Sequence, residues 1–405
     1  MNSHPLNPGG PGDADRRPFV SDPNPGWGPP VPTPAGRNGA TVVLATLGFA
    51  VLTLIGVGVA AYLVFALGTG AAIAGLLLAT APLVVVLLTV RWIDRWEPEP
   101  RAALLFALLW GAAASVAIAL VFSFIAQIGQ ALAGIGDSYA TVLFSAVVQA
   151  PIVEEVAKGF GILLLFWAFR RQFDGPVDGL VYAAVIAVGF AFTENIQYFG
   201  LALAGSDLGA VSEIFFLRGV LSPFAHVMFT ACTGIVLGIA SRRASGGGAI
   251  GYFLIGLVPA IALHALWNGA AFLVGDFYSY YLVVQVPLFL LAVGIVLYLL
   301  RVEQRITSDR LAEYAAAGWF TQEEVVMLST PTGRGRAKAL AARQGIGAPF
   351  SRFVATATRL AFARHRVIVG RDRIGPQSVE ADLLAAISAD RRAIAALRAT
   401  PSRGA

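Results

Sequence analysis

Apolar residues run along the chain in eight long blocks separated by short polar breaks. The blocks are Ala40 to Leu67, Gly70 to Val90, Ala102 to Gln127, Thr141 to Phe169, Leu180 to Ala204, Gly219 to Ala240, Ala249 to Val274 and Tyr280 to Leu300. Each is roughly 20 residues or more, the length an α-helix needs to cross about 30 Å of hydrocarbon. A transmembrane barrel would show alternating segments of about ten residues, and none is present. The pattern therefore predicts an all-α fold, a polytopic transmembrane helix bundle of about eight spans.

Composition supports the same class. The 405 residues are 57% hydrophobic and 13% charged, with mean hydropathy +0.72, more apolar surface than a water-soluble domain of this size can bury. The one cysteine, Cys232, lies inside an apolar block, which excludes a disulfide framework and a thiolate metal cluster.

Three regions follow. Residues 1–38 hold ten of the 22 prolines together with Gly, Asn and Asp, and are expected to be a disordered tail rather than a signal peptide. Residues 39–300 form the membrane domain. Residues 301–405 carry 17 Lys or Arg against nine Asp or Glu and read as a basic, helical region, with helices expected over Asp309 to Leu328 and Val379 to Leu397 and a loop over Gly333 to Gly347. Its expected partners are anionic lipid headgroups; no nucleic acid is expected, since no recognition motif is present. Arg91, Arg95, Arg101, Arg170, Arg171, Arg242 and Arg243 fall on the side shared with both termini, while the opposite loops carry only Arg218. The positive-inside rule places both termini in the cytoplasm, and the chain is expected in a bacterial inner membrane.

Ionisable residues within spans cost several kcal/mol each unless they face a polar interior, so they are functional candidates. They are Glu154, Glu155 and Lys158 in the fourth block, Glu194 with Asn195 in the fifth, His226 in the sixth, and His264 with Asn268 in the seventh. Glu154 to Arg170, Asp178 to Glu194 and His226 to Arg242 are each 16 residues apart, about 24 Å of helix, which sets three polar groups at one depth near the bilayer midplane. At 100° per residue, Lys158 lies about 40° from Glu154 and about 60° from Glu155, so one ammonium can serve both carboxylates. Two adjacent glutamates in a low-dielectric site cannot both ionise cheaply, and the lysine offsets one charge, an arrangement suited to acid and base work. Pro151 removes a helix hydrogen bond just before the pair. His264 and Asn268 share a face at i, i+4.

Structural alternatives exist for each. The span-four charges also fit an ion-pair knot, and His226 one turn after Pro223 also fits a bond to a neighbouring carbonyl. Gly134, Gly136 and Asp137 spell GxGD, but they lie in a loop and no Tyr-Asp partner occurs. HExxH is absent.

Taken together, DRWEPEP (Asp94 to Pro100), PIVEEVAKG (Pro151 to Gly159), DGLVYAAVIAVGFAFTENIQY (Asp178 to Tyr198), SPFAH within Ser222 to Gly238, and HALWNG (His264 to Gly269) resemble the PrsW-like intramembrane proteases, relatives of the type II CAAX prenyl endopeptidases. The resemblance spans roughly Arg91 to Val274. It implies proteolysis of a single-span membrane protein, with an anti-sigma factor as one candidate. The relatives' EExxxR, FxxxH and HxxxN stand here as EExxK, FxxxE from Phe190 to Glu194, and HxxxN from His264 to Asn268; the glutamate at 194 departs from the CAAX pattern.

Two mechanisms fit these residues. Without a metal, Glu154, with Glu155 and Glu194 near by, activates water while His264 and Asn268 donate to the oxyanion and Lys158 sets the protonation of the pair. With Zn²⁺, Glu194, His226 and His264 are the ligands and a span-four glutamate is the base. A proton-coupled transporter or channel using the same cluster is the alternative from another class, and a membrane scaffold is a third.

Overall fold

Each apolar block folds as a helix. The computed structural model describes residues 39–96, 98–169, 173–205, 208–243, 247–369 and 376–399. The expected disordered tail, residues 1–38, lies outside them. The eight helices long and apolar enough to cross a membrane are α1 (Gly39–Leu67), α2 (Thr69–Ile93), α3 (Arg101–Leu132), α4 (Tyr139–Ala168), α5 (Pro176–Ala204), α6 (Leu208–Ser241), α7 (Ala249–Leu273) and α8 (Phe277–Ala316). Gly68, at φ 79°, turns the chain between α1 and α2, a conformation that favours glycine.

Several helices exceed their apolar blocks because local capping extends them. α5 begins with Pro176, and the Asp178 carboxylate accepts the N–H groups of Asp174 and Gly175 at 2.7 and 2.9 Å. α6 begins eleven residues before its predicted start, so Arg218, expected in a loop, sits on a wide π-helical turn, Phe216–Leu221. After that turn α6 breaks around Pro223 and resumes at Ala225.

α5 is the central helix of the bundle. It is apolar on every side and buried along most of its length, as expected of a helix surrounded by others. Small residues let its neighbours come close. A Cβ on Gly179 would lie 2.0 Å from the carbonyl oxygen of Gly234, and one on Gly234 would lie 2.2 Å from that of Gly179, so α5 and α6 touch backbone to backbone. α3 approaches α5 in the same manner, where a Cβ on Gly111 would lie 1.9 Å from Ile186 O. The large core is built around this axis, from Tyr182, Ile186, Phe166, Phe173 and Leu237 among others.

The described chain forms two compact units that part between Leu300 and Arg301. In the second, α8 ends at Ala316 and a turn with Gly318 at φ 82° precedes α9 (Gln322–Ser329), so the single helix expected over Asp309 to Leu328 is two. The loop expected over Gly333 to Gly347 is for the most part helix α10 (Pro331–Arg343): Thr330 caps it by accepting Gly333 N–H, and Pro331 fits its first position. α11 (Gly347–Ile368) and α12 (Pro376–Ala399) complete the unit. Its core holds the buried Arg391 to Glu324 pair at 2.8 Å, with the guanidinium over the rings of Phe320 and Phe353.

Candidate active site

Four helices bring the polar residues of the apolar blocks together, and wide turns shape two of them. In α4, residues Ser145–Gln149 are π-helical. Ala150 N–H there reaches Ser145 O, so the next donor in this i+5 register would be residue 151, which is proline and has none. Asn268 of α7 supplies the missing bond, its Nδ2 donating to Ala146 O at 2.8 Å. Asn268 thus ties α7 to the base of the glutamate helix. In α3, the π-helical segment Trp110–Ser115 does similar work. Trp110 Nε1 donates to Ala157 O at 3.0 Å and Thr193 Oγ1 donates to Ala112 O at 2.9 Å, which links α3 to α4 and to the residue beside Glu194.

Glu155 and Lys158 are fully buried. Lys158 Nζ donates to Glu155 Oε1 at 2.5 Å and lies 3.2 Å from His226 Nδ1 and 4.6 Å from the centre of the Phe190 ring. The other Glu155 oxygen accepts Thr230 Oγ1 at 2.8 Å, and His264 Nδ1 lies 3.0 Å from Oε1. Glu155 is therefore saturated, and the lysine is engaged by Glu155 and His226 rather than shared between the two glutamates.

Glu194 is engaged as well. His226 Nε2 lies 2.9 Å from its Oε2, and Arg218 Nη2 donates to the same oxygen. Arg218 Nε also donates to Asn195 Oδ1 at 2.7 Å, and its guanidinium lies 4.0 Å over the Tyr198 ring. An ammonium facing Nδ1 fixes that nitrogen of His226 as acceptor and makes Nε2 the donor to Glu194. Lys158, His226, Glu194 and Arg218 thus form one chain of charge-assisted bonds.

Glu154 differs. Its Oε2 is buried without a hydrogen-bond partner and lies 3.8 Å from His264 Nε2. In the neutral ring that donates Nδ1–H to Glu155, Nε2 carries the lone pair. Two buried acceptors face one another across this gap, an arrangement that calls for a shared proton or a cation. Glu154, His226 and His264 each offer one ligand atom within 4.8 Å of the others. These residues fit a metal: His264 is oriented by a carboxylate behind it, as ligating histidines are, and Glu154 is free. His226 would join only by giving up its bond to Glu194 or to Lys158. Of the eight residues named from the sequence, the structure thus groups Glu154, Glu155, Lys158, Glu194, Asn195, His226 and His264, with Glu194 turned toward Arg218 and Glu154 toward the histidines, while the Asn268 side chain bonds the Ala146 carbonyl. Arg218 and Thr230 complete the network. The signal for Arg218 was its standing alone as the basic residue of the opposite loops; Thr230 had none.

The stacking of Phe229 on His264, with centroids 5.0 Å apart, and the edge contact of the two histidines at 5.1 Å complete the enclosure. An apolar cavity of about 370 Å³ lies on another face of α6, lined by Ala231, Cys232 and Ile235 rather than by the cluster.

Fold and site define a class: an all-α, multi-span membrane protein with a buried Glu/His/His cluster of the catalytic or metal-binding kind. Residues 99–292 match the model of the PrsW family intramembrane metalloproteases. The chain is 26% identical to Protease PrsW of Clostridioides difficile over 192 residues, 47% of this chain and 76% of the relative. It is 32% identical to Protease PrsW of Geobacillus kaustophilus over 36% of this chain and 57% of the relative, and 29% identical to that of Bacillus subtilis over 31% and 53%. The chain is thus homologous to PrsW-family intramembrane proteases over part of its length, and that homology supports an enzymatic, peptidase-type function. No solved structure matches it.

Proposed function

We propose that this chain is an intramembrane endopeptidase that hydrolyses a peptide bond of a single-span membrane protein, with both termini in the cytoplasm of a bacterial inner membrane. The observation that carries the reading is Glu154: a buried carboxylate oxygen without a hydrogen-bond partner, 3.8 Å from His264 Nε2, inside a region homologous to proteases. A group poised in this way accepts a proton from water or holds a cation.

The ligand set that the geometry favours is Glu154, His226 and His264. Glu194, the ligand named from the sequence, is engaged with Arg218 and His226 and is better read as the anchor that orients His226. When bound, a divalent ion such as Zn²⁺ would polarise the scissile carbonyl and acidify a water. The chain's own residues supply the rest. Glu155 orients His264 through Nδ1; Lys158 neutralises Glu155 and orients His226; Asn268, one turn after His264 on α7, keeps one N–H beyond its bond to Ala146 O. Arg218 is a positioning residue that balances Glu194. Three carboxylates and two fixed cations leave Glu154 as the uncompensated charge.

The test is incubation of the purified protein in vesicles with single-span membrane proteins, an anti-sigma factor among them, beside the Glu154→Ala, Glu155→Ala and His264→Ala variants. Loss of cleavage in the variants is expected. Unchanged cleavage in all three refutes the assignment, and solute transport without cleavage favours the transporter.

A further inference from the structure

The second unit contains a basic pocket that the peptidase reading leaves unused. It is about 330 Å³, and one wall is α8 just beyond its apolar block, with Arg301, Gln304, Arg305 and Ser308; the other is the α9–α10 junction at Ser329 and Thr330. Arg301 and Arg305 are i, i+4 neighbours on one helix face, and both are exposed. Among the described residues neither makes an ion pair or a hydrogen bond, and no carboxylate lines the pocket. Other arginines of the unit are paired, Arg352 with Asp390 and Arg364 with Glu313. Two adjacent unpaired guanidiniums repel one another, so this pocket is set up for an anion.

The donors specify the anion. Two planar forks supply at least four N–H donors, enough to engage both free oxygens of a phosphodiester, each of which accepts more than one bond. Gln304 and Ser308 add neutral donors, and the N-terminal end of the thirteen-residue α10, capped by Thr330, adds positive potential. The volume far exceeds the roughly 30 Å³ share of one water and accommodates a phosphate with its ester group. Depth specifies the source. Arg301 directly follows Leu300, and at 1.5 Å per residue Arg305 lies about 6–8 Å further along α8. The headgroup layer is of the same thickness, roughly 5–7 Å on each side of the hydrocarbon.

We propose that Arg301 and Arg305 hold the phosphodiester of an anionic membrane phospholipid. The site is distinct from the Glu/His cluster and independent of proteolysis. It is tested with the full-length protein in neutral detergent by native mass spectrometry, titrating phosphatidylglycerol, phosphatidylcholine or inorganic phosphate. Phosphatidylglycerol is expected to bind at least about tenfold more weakly to the Arg301→Gln/Arg305→Gln double variant, with intermediate binding for Arg301→Lys/Arg305→Lys. Phosphatidylcholine is expected to bind neither. Arg359→Gln, an exposed arginine elsewhere in the unit, is expected to bind as the unaltered protein does. Undiminished binding in the double variant, or an equal loss in Arg359→Gln, overturns the site. Inorganic phosphate that displaces phosphatidylglycerol at equal concentration overturns the lipid assignment in favour of a soluble phosphate. Circular dichroism confirms that each variant is folded.

Discussion

Glu154 and Glu155 are neighbours in sequence and opposites in circumstance. Three donors surround Glu155, while Glu154 keeps one buried oxygen bare beside His264. Glu154→Gln keeps the shape and removes the base, and is expected to lower cleavage about 10²–10⁴-fold with little change in thermal stability, as read from an initial-rate assay beside a melting curve. Glu155→Gln strips the anchor from both Lys158 and His264, so it is expected to lower stability as well as rate. Arg218 is tested by a cycle. Arg218→Gln leaves the half-buried Glu194 unbalanced and is expected to reduce the rate at least about tenfold; adding Glu194→Gln is expected to recover part of it, since the two side chains act as one unit. A double variant no faster than Arg218→Gln alone would show that the arginine does not act through Glu194. Spacing along the chain revealed the depth shared by Glu154, Glu194 and His226, because an α-helix converts residue count into distance. Partner choice was not legible, since which oxygen meets which nitrogen depends on rotation and approach of separate helices.

At the scale of elements, close helix crossings hold the cluster in place. Helix propensity alone would favour Gly179→Ala by about 1 kcal/mol, but the added Cβ meets the Gly234 carbonyl at 2.0 Å, and overpacking costs about 1–3 kcal/mol. The clash wins, so Gly179→Ala is expected to lower the melting temperature and to disturb the Glu194 to His226 bond between α5 and α6. Gly251→Ala on α7, with nothing within 4 Å of the new Cβ, is expected to be neutral or mildly stabilising. The end of α2 gives a pH test outside the spans. Burial pushes the Asp94 carboxyl up from its ordinary 3.8 to about 7, against the Glu99 N–H and the Arg91 charge, which pull it down. The folded state then binds the proton more tightly than the unfolded chain. The stability this contributes is fully present below about pH 3.8 and is lost as pH rises through about 7. Melting temperature is expected to fall between about pH 4 and 7, and Asp94→Asn to flatten that slope; an equal slope in the variant would exclude Asp94 as its origin. The π-helical turns of α3 and α4 were not visible in the sequence, because nothing in Trp110–Ser115 or Ser145–Gln149 departs from ordinary helix-forming composition. Pro151 marked the irregularity in α4, and only the packing of Asn268 against Ala146 explains how it is satisfied.

For the whole molecule, the metal is the main experiment. Elemental analysis of the purified protein is expected to find about one equivalent of a divalent metal, lost in His264→Ala. A chelator is expected to abolish cleavage and Zn²⁺ to restore it; chelator-resistant cleavage by metal-free protein would leave Glu154 as a base acting alone. Hydrophobic patterning was enough to read the membrane class and the eight spans, because hydrophobic runs of bilayer length carry large free energies that no packing detail reverses. Tertiary structure alone decided the rest: that α5 is the buried axis, that Arg218 enters the cluster from a helical rather than a loop segment, that Gly333 to Gly347 is mostly helix, and that Glu154 rather than Glu155 is left bare. These choices differ by a hydrogen bond or a backbone approach of an ångström or two, and such small differences are settled only when separate helices are in contact.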